Sequence, residues 1–291
     1  MSTSIRRTKT PAKLNIRLKV TGRRPDGYHE LVSVMVPIDL FDLLEITATR
    51  TGGIELACSG LPVPRDESNL VYKAAQSFFL KTGHQEGLFR KLVKNIPIAA
   101  GMGGGSSDAA ATLLTLNEMR GRPLSKEALH DMALRLGADV PFFLYCRPSL
   151  ARGVGDILEP LPNWPKLWYV VVTPRLQIST SWVFGRLKLE LTTGEYDYIN
   201  KYLDNNPTVI PPILENDLEK VTSTSFPIIE TIKRLLVDAG AEGALMTGSG
   251  PSVFGVFRSS NEAERAREVI ASQDVGNVIV ATNWEREVIE H

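Results

Sequence analysis

The sequence predicts an α+β protein of two domains, 1–163 and 164–291. Three observations lead there. A chain of 291 residues is long for a single domain. Three prolines fall within 160–165, where hydrophobic periodicity stops, and mark the boundary. Beyond it the segments run strand, helices, strand, strand, helix, strand, which is a ferredoxin-like order.

Composition narrows the function. Apolar residues make up 43%, enough for a sizeable core, and 23% are charged. Thirty-three basic residues balance 33 acidic ones, so no broad electrostatic footprint for nucleic acid or membrane is expected. Cys58 and Cys146 do not form a CxxC pair, which argues against a disulfide scaffold or zinc site and fits a reducing cytoplasm. His29, His84, His130 and His291 show no metal-ligand spacing. Arg6, Arg7 and Lys9 are not followed by an apolar run, so the N-terminus reads as a solvated tail. No apolar stretch approaches the length of a membrane span, and no internal repeat is present.

The elements follow in order. Residues 12–20 alternate, with Leu14, Ile16, Leu18 and Val20 on one face and Lys13, Asn15, Arg17 and Lys19 on the other. That is a strand whose polar face either meets solvent or lines a site. Pro25-Asp26-Gly27 is a turn that delivers Tyr28 and His29 to one place. Strands are predicted over 31–38 and 43–49, then a hairpin-like turn at Gly52-Gly53 into 54–57. A helix is expected over 69–81, ending near Gly83, and a strand over 88–96. Further helices cover 107–119 and 125–136, the second opened by Ser125 and closed by Gly137.

Past the second helix, 149–154 is a strand. So is 167–173, and 180–191 is helical. Residues 192–206 are polar and match no pattern. Glu215-Asn216-Asp217-Leu218 caps a helix within 211–221, and 227–239 is an amphipathic helix. Strands 244–247 and 253–257 flank a Gly/Ser turn at 248–252. A helix over 261–272 and a strand over 278–282 complete the chain.

The organising stretch is Pro97-Ile98-Ala99-Ala100-Gly101-Met102-Gly103-Gly104-Gly105-Ser106-Ser107-Asp108, running straight into Ala109-Ala110-Ala111 and a helix. Glycines lack a Cβ, so their backbone can lie against a ligand. A helix start offers open N–H groups and a positive dipole end. Together these make an anion site, most often for phosphate, with Ser106, Ser107 or Asp108 available to cap the helix. The loop lacks the Lys-Ser/Thr of a Walker A motif, and its glycines are too dense for a dinucleotide fingerprint. Asp139 stands two residues before Pro141, where it suits the N-cap of a short helix.

Three stretches in this order, 11–15, 97–110 and 247–254, resemble the signature motifs of the GHMP kinase superfamily. The resemblance covers essentially the whole chain. It implies a ribosomal-protein-S5-domain-2-like N-terminal domain followed by a ferredoxin-like one. It also implies a small-molecule kinase that uses ATP with Mg²⁺. Lys13 and Asp139 match the family's catalytic pair. The loop Pro97–Ser107 matches its ATP-phosphate site, and Asn69 and Lys94 fall near its nucleotide contacts. No metal ligands are marked, beyond Ser107 as a candidate.

Residues 21–31 and 137–143 resemble the branch whose acceptor is a cytidine diphosphate derivative of a sugar alcohol, in isoprenoid precursor synthesis. A cytosine head needs aromatic faces and edge partners. The resemblance then implies Tyr28 and Phe184 as its sandwich and His29 as the edge reader. Asn15 and Thr180 would hold other polar groups. Without the resemblance, Phe184 reads as ordinary core. Other superfamily members act on homoserine, mevalonate or sugars and need not keep Gly27-Tyr28-His29. A non-catalytic sensor on the same fold would be expected to lack Lys13 or Asp139.

Overall fold

Strand β1 (Ile5–Arg23) and strand β2 (His29–Thr49) are the long elements of the chain. The structure, a computed structural model, describes residues 5–49, 53–83, 87–187 and 213–286. The turn between β1 and β2 forms as its sequence requires: Asp26 Oδ1 accepts from Tyr28 N at 3.1 Å, and Gly27 takes φ +89°. Two predicted strands are joined in β2, which continues through Pro37 and across residues 39–42. The polar side of β1 is no solvent face, since Lys13, Asn15 and Arg17 are all buried.

The chain divides into two units, with β1 and β2 each passing from one to the other. The first comprises Met1–Ala12, Leu40–Ile98 and Gly103–Cys146. In it β4 (Gly87–Lys94) pairs antiparallel with β2, from Leu43↔Val93 to Thr49↔Gly87. On its other side β4 pairs parallel with β3 (Ile54–Gly60). The turn expected at Gly52-Gly53 lies partly outside the described residues, and the two strands it was to join do not pair: β4 stands between β2 and β3, and β3 connects to β4 through α1 (Leu70–Thr82). Parallel neighbours need such a crossover, and local turn residues carry no information about the partner strand. Asn69 caps α1 and Gly83 closes it in the left-handed region. Helices α2 (Gly104–Met119), α3 (Lys126–Leu136) and α4 (Val140–Tyr145) pack together with α1 around Phe78, Leu113 and Phe142.

The second unit comprises Lys13–Asp39, Ala99–Met102 and Arg147–His291, so residues on both sides of 163/164 belong to it. There β5 (Ser149–Arg152) pairs antiparallel with β2 at Ser33↔Ala151, and β6 (Ile157–Pro160) pairs with β5. The two-residue β8 (Glu215–Asn216) lies parallel to β1. A separate sheet holds β7 (Trp168–Thr173), β9 (Ala244–Met246), β10 (Val253–Phe257) and β11 (Asn277–Thr282) in the order β11-β7-β10-β9, all antiparallel. Its helices are α6 (Asp217–Ser225), α7 (Ile228–Asp238) and α8 (Ser260–Ala271). That is the predicted ferredoxin-like arrangement, strand order 4-1-3-2 within the sheet. Val170, Val172, Ile229, Ile232, Leu236 and Phe257 form its core. The short α5 (Thr180–Phe184) is the described part of the helix expected over 180–191. The unassigned stretch 192–206 lies outside the described residues, as does the start of 211–221.

Candidate active site

The glycine loop runs through both units, and each holds its part differently. In the second, Gly101 adopts φ +76°, and a Cβ there would stand 2.1 Å from the Thr247 carbonyl oxygen. Only glycine allows that approach. The Thr247 hydroxyl accepts from Asn15 N at 2.9 Å and donates to Gly101 O at 3.4 Å. Lys13 N donates to Met102 O at 3.0 Å. The middle of β1, loop residues Ala99–Met102 and the turn at 247–250 are thus tied by hydrogen bonds. Ala100 and Met102 are buried, and Ala99 sits in the left-handed region at φ +51°. Asn216 secures the turn from behind, its Nδ2 donating to Met246 O at 2.7 Å and Gly248 O at 2.8 Å. Thr180 reaches the same turn, its hydroxyl 2.9 Å from that of Ser249.

In the first unit Gly103 is the N-cap of α2, left-handed and without a side-chain capping bond. The helix begins at Gly104, so Ser106, Ser107 and Asp108 lie inside it and do not cap it as expected. Glycine's freedom at the cap replaces a side-chain oxygen, and the first-turn amides are left without a side-chain acceptor. Positive helix-end potential and open amides are what an anion requires.

Beneath this helix end lies a buried ion cluster. Lys94 Nζ pairs with Asp42 and, at 2.9 Å, with Asp108. Asp108 also accepts from the Thr10 hydroxyl at 2.6 Å. Asp42 accepts from Asn95 N at 2.6 Å and Ile96 N at 2.8 Å, which fixes the chain entering the loop. Burial works against the Lys94 charge, but the two carboxylates outweigh it and hold the ammonium above its usual value. For Asp108 burial dominates over Lys94 and pushes the carboxyl up to about 6. A Cβ at Gly104 would meet Ile96 at 2.9 Å and Lys94 Nζ at 3.1 Å. Lys94, expected near the nucleotide, therefore has its ammonium committed beneath the loop.

Asn69 is likewise engaged: its Oδ1 accepts from Val71 N at 2.9 Å and its Nδ2 donates to Pro64 O at 2.7 Å. Asp139 stands half-buried at the head of α4, which packs on α2. Its side chain makes no capping bond to α4, so the N-cap reading is set aside.

Lys13 in the second unit is buried and its ammonium donates to Asn15 Oδ1. Asn15 Nδ2 donates to the Ser33 hydroxyl at 2.7 Å, and that hydroxyl donates to Arg17 O at 2.6 Å. His29 and Phe184 stack, ring centroids 4.9 Å apart and planes 27° from parallel. Tyr28 is 61% exposed, so the ring that Phe184 meets is His29 and not Tyr28. Burial, helped by Arg23, pushes the His29 imidazole below 6.5 and keeps it neutral at pH 7.

Sequence reasoning missed Thr10, Ser33 and Asp42. Each is a common polar residue within or beside a strand, with no local motif, and its partner lies 16 to 98 residues away. Among the described residues no group of three His, Cys, Asp or Glu side chains stands together to hold a metal. Nor is any described helix long and apolar enough to cross a membrane.

The family models for the GHMP kinases N-terminal and C-terminal domains match residues 69–147 and 194–275. A relative from Geobacter metallireducens, 4-diphosphocytidyl-2-C-methyl-D-erythritol kinase, is 46% identical over 266 residues, covering 91% of this chain and 93% of its own. A crystal structure of 4-(cytidine 5'-diphospho)-2C-methyl-D-erythritol kinase is 34% identical with a TM-score of 0.81, covering 95% of this chain and 98% of the other. Homoserine kinase from Cytophaga hutchinsonii, 19% identical with a TM-score of 0.78 over 97% and 96% of the two chains, shares the fold.

Proposed function

The chain belongs to the GHMP kinase family, and from that premise we propose that it transfers the ATP γ-phosphoryl group to the 2-hydroxyl of 4-diphosphocytidyl-2-C-methyl-D-erythritol. This is a step of the non-mevalonate route to isoprenoid precursors. The observation that carries the reading is the bonding of Lys13, the loop Ala99–Met102 and the turn at 247–250 into one network. High identity over nine-tenths of the chain to a kinase of that name selects the acceptor.

Phosphoryl transfer asks the protein for position and for charge more than for covalent chemistry. The loop Pro97–Ser107 cradles the ATP phosphates, with the uncapped start of α2 contributing its amides and dipole. Asp139 accepts the proton of the acceptor hydroxyl, a contribution typically worth about 10²–10⁴-fold. Lys13 keeps that carboxylate ionised and stabilises charge on the transferring group. When bound with ATP, Mg²⁺ would supply positive charge against the phosphate oxygens. Ser107, in the first turn of α2, is the candidate protein oxygen that would hold it.

Acceptor recognition falls to the aromatic group. A neutral imidazole carries one donor and one acceptor, the complement of a cytosine edge. Tyr28 and Phe184 supply stacking faces, and Asn15 and Thr180 supply polar contacts. In chain order, 1–163 brings the phosphate loop and the catalytic pair, and 164–291 brings the closing turn and Phe184. Neither Cys58 nor Cys146 is in a disulfide, as suits a reducing compartment.

The test is ADP release with Mg-ATP and one acceptor at a time: the cytidyl compound, homoserine, mevalonate or galactose. Turnover with the cytidyl compound alone is expected. Turnover with another acceptor alone discards the substrate, and none with any, despite ATP binding, discards the kinase.

A further inference from the structure

A buried line of hydrogen bonds runs from a backbone carbonyl to the Lys13 ammonium, and its direction is fixed by chemistry. Arg17 O can only accept, so the Ser33 hydroxyl, 2.6 Å away, must spend its single proton there. The Ser33 oxygen is then left with lone pairs only. Its neighbour at 2.7 Å, the Asn15 side chain, must present the NH₂ end. That places the amide oxygen of Asn15, and not its nitrogen, against Lys13 Nζ. An asparagine amide has two ends of nearly equal shape and opposite polarity. Reversed, it would turn two N–H groups on a buried ammonium.

From this geometry we infer that Ser33 is a positioning residue for phosphoryl transfer. By fixing which end of Asn15 faces Lys13, it holds the ammonium in place. The inference rests on the catalytic reading of Lys13 above. Ser33 itself is fully buried in β2, opposite Ala151 of β5, and its hydroxyl is engaged by Arg17 O and Asn15 Nδ2. Its effect therefore passes through Asn15.

Threonine and valine at this position have nearly the same shape and differ in the hydroxyl. Ser33→Thr and Ser33→Val thus share whatever the added methyl costs. Ser33→Val is expected to turn over about 10–100-fold more slowly than Ser33→Thr, the scale of a small misplacement in a catalytic constellation. The KM for ATP should agree between the two. Equal kcat in the pair overturns the proposal, as does a parallel rise in both substrates' KM with kcat unchanged. If neither variant folds, Ser33→Ala adds no atoms and is compared with the wild type by the same split. A kcat loss at constant ATP KM supports the proposal, and an unchanged kcat overturns it. Lys13→Met is assayed alongside. Lost turnover there with no Thr–Val difference overturns the role of Ser33 alone. Full turnover in Lys13→Met overturns the catalytic reading of Lys13 itself.

Discussion

Lys94 and Asp108 form a buried ion pair: Nζ lies 2.9 Å from Oδ2, and their side chains are 4% and 2% exposed. The ammonium serves Asp42 as well, so two carboxylates share one cation. The imbalance makes the two partners unequal. Lys94→Met leaves two buried carboxylates without a counter-charge and should cost about 3–5 kcal/mol. Asp108→Asn leaves a balanced Asp42–Lys94 pair and should cost about 1–3 kcal/mol, chiefly from imperfect hydrogen bonding. Urea unfolding of both variants at neutral pH checks the order; a larger loss in Asp108→Asn contradicts it.

The same cluster gives a pH signature. Burial raises the Asp108 carboxyl from 3.8 to about 6. An acid raised in the folded state binds its proton more tightly there, so its favourable contribution is complete below 3.8 and lost as pH rises through about 6. Measured against Asp108→Asn, the wild type should therefore lose stability across that window, by about 1.4 kcal/mol per unit of separation. A difference that stays flat, or grows with pH, sinks the assignment.

Gly101 and Gly105 should respond oppositely to alanine. At Gly101 the new Cβ would stand 2.1 Å from a backbone oxygen, in a left-handed conformation. That residue is strained by about 1–3 kcal/mol before any clash is counted. Nucleotide affinity and melting temperature should both fall. At Gly105, inside α2, the nearest atom is a Leu70 methyl at 3.5 Å. There alanine should raise stability by about 0.5–1 kcal/mol through helix propensity. Calorimetric melting of the pair decides between them.

Asp139→Asn should bind ATP like the wild type and lose about 10²–10⁴-fold in kcat. Loss of folding without loss of specific turnover would return Asp139 to a structural role.

His29 offers a test of acceptor recognition. Its imidazole is held below 6.5 by burial and by Arg23, so it stays neutral through physiological pH. The KM for the cytidyl acceptor should rise only as pH falls below 6.5, while the KM for ATP stays level over the same range. Phe184→Ala, which removes the ring stacked on His29 at 4.9 Å, should raise the acceptor KM and leave that for ATP unchanged. Equal effects on both substrates would separate the stack from the acceptor.

What the sequence determined by itself is local. The caps Asn69, Ser125 and Asn216 each bond an amide two or three residues ahead, so their helices begin where short-range chemistry puts them. The strand and helix order of 167–282 specified a ferredoxin-like sheet, because period and turn residues are short-range signals. Loop, lysine strand and third turn were legible as motifs for the same reason. Tertiary structure decided the rest. It inserted β4 between β2 and β3, since pairing depends on distant registry. It buried the polar side of β1 and gave Lys13 its amide partner through Ser33, 20 positions on. It also gathered Asp42 and Asp108 around the Lys94 ammonium, with Thr10 bonded to Asp108. A buried charge must find its partners in space, and nothing in the spacing along a chain records which ones it will find.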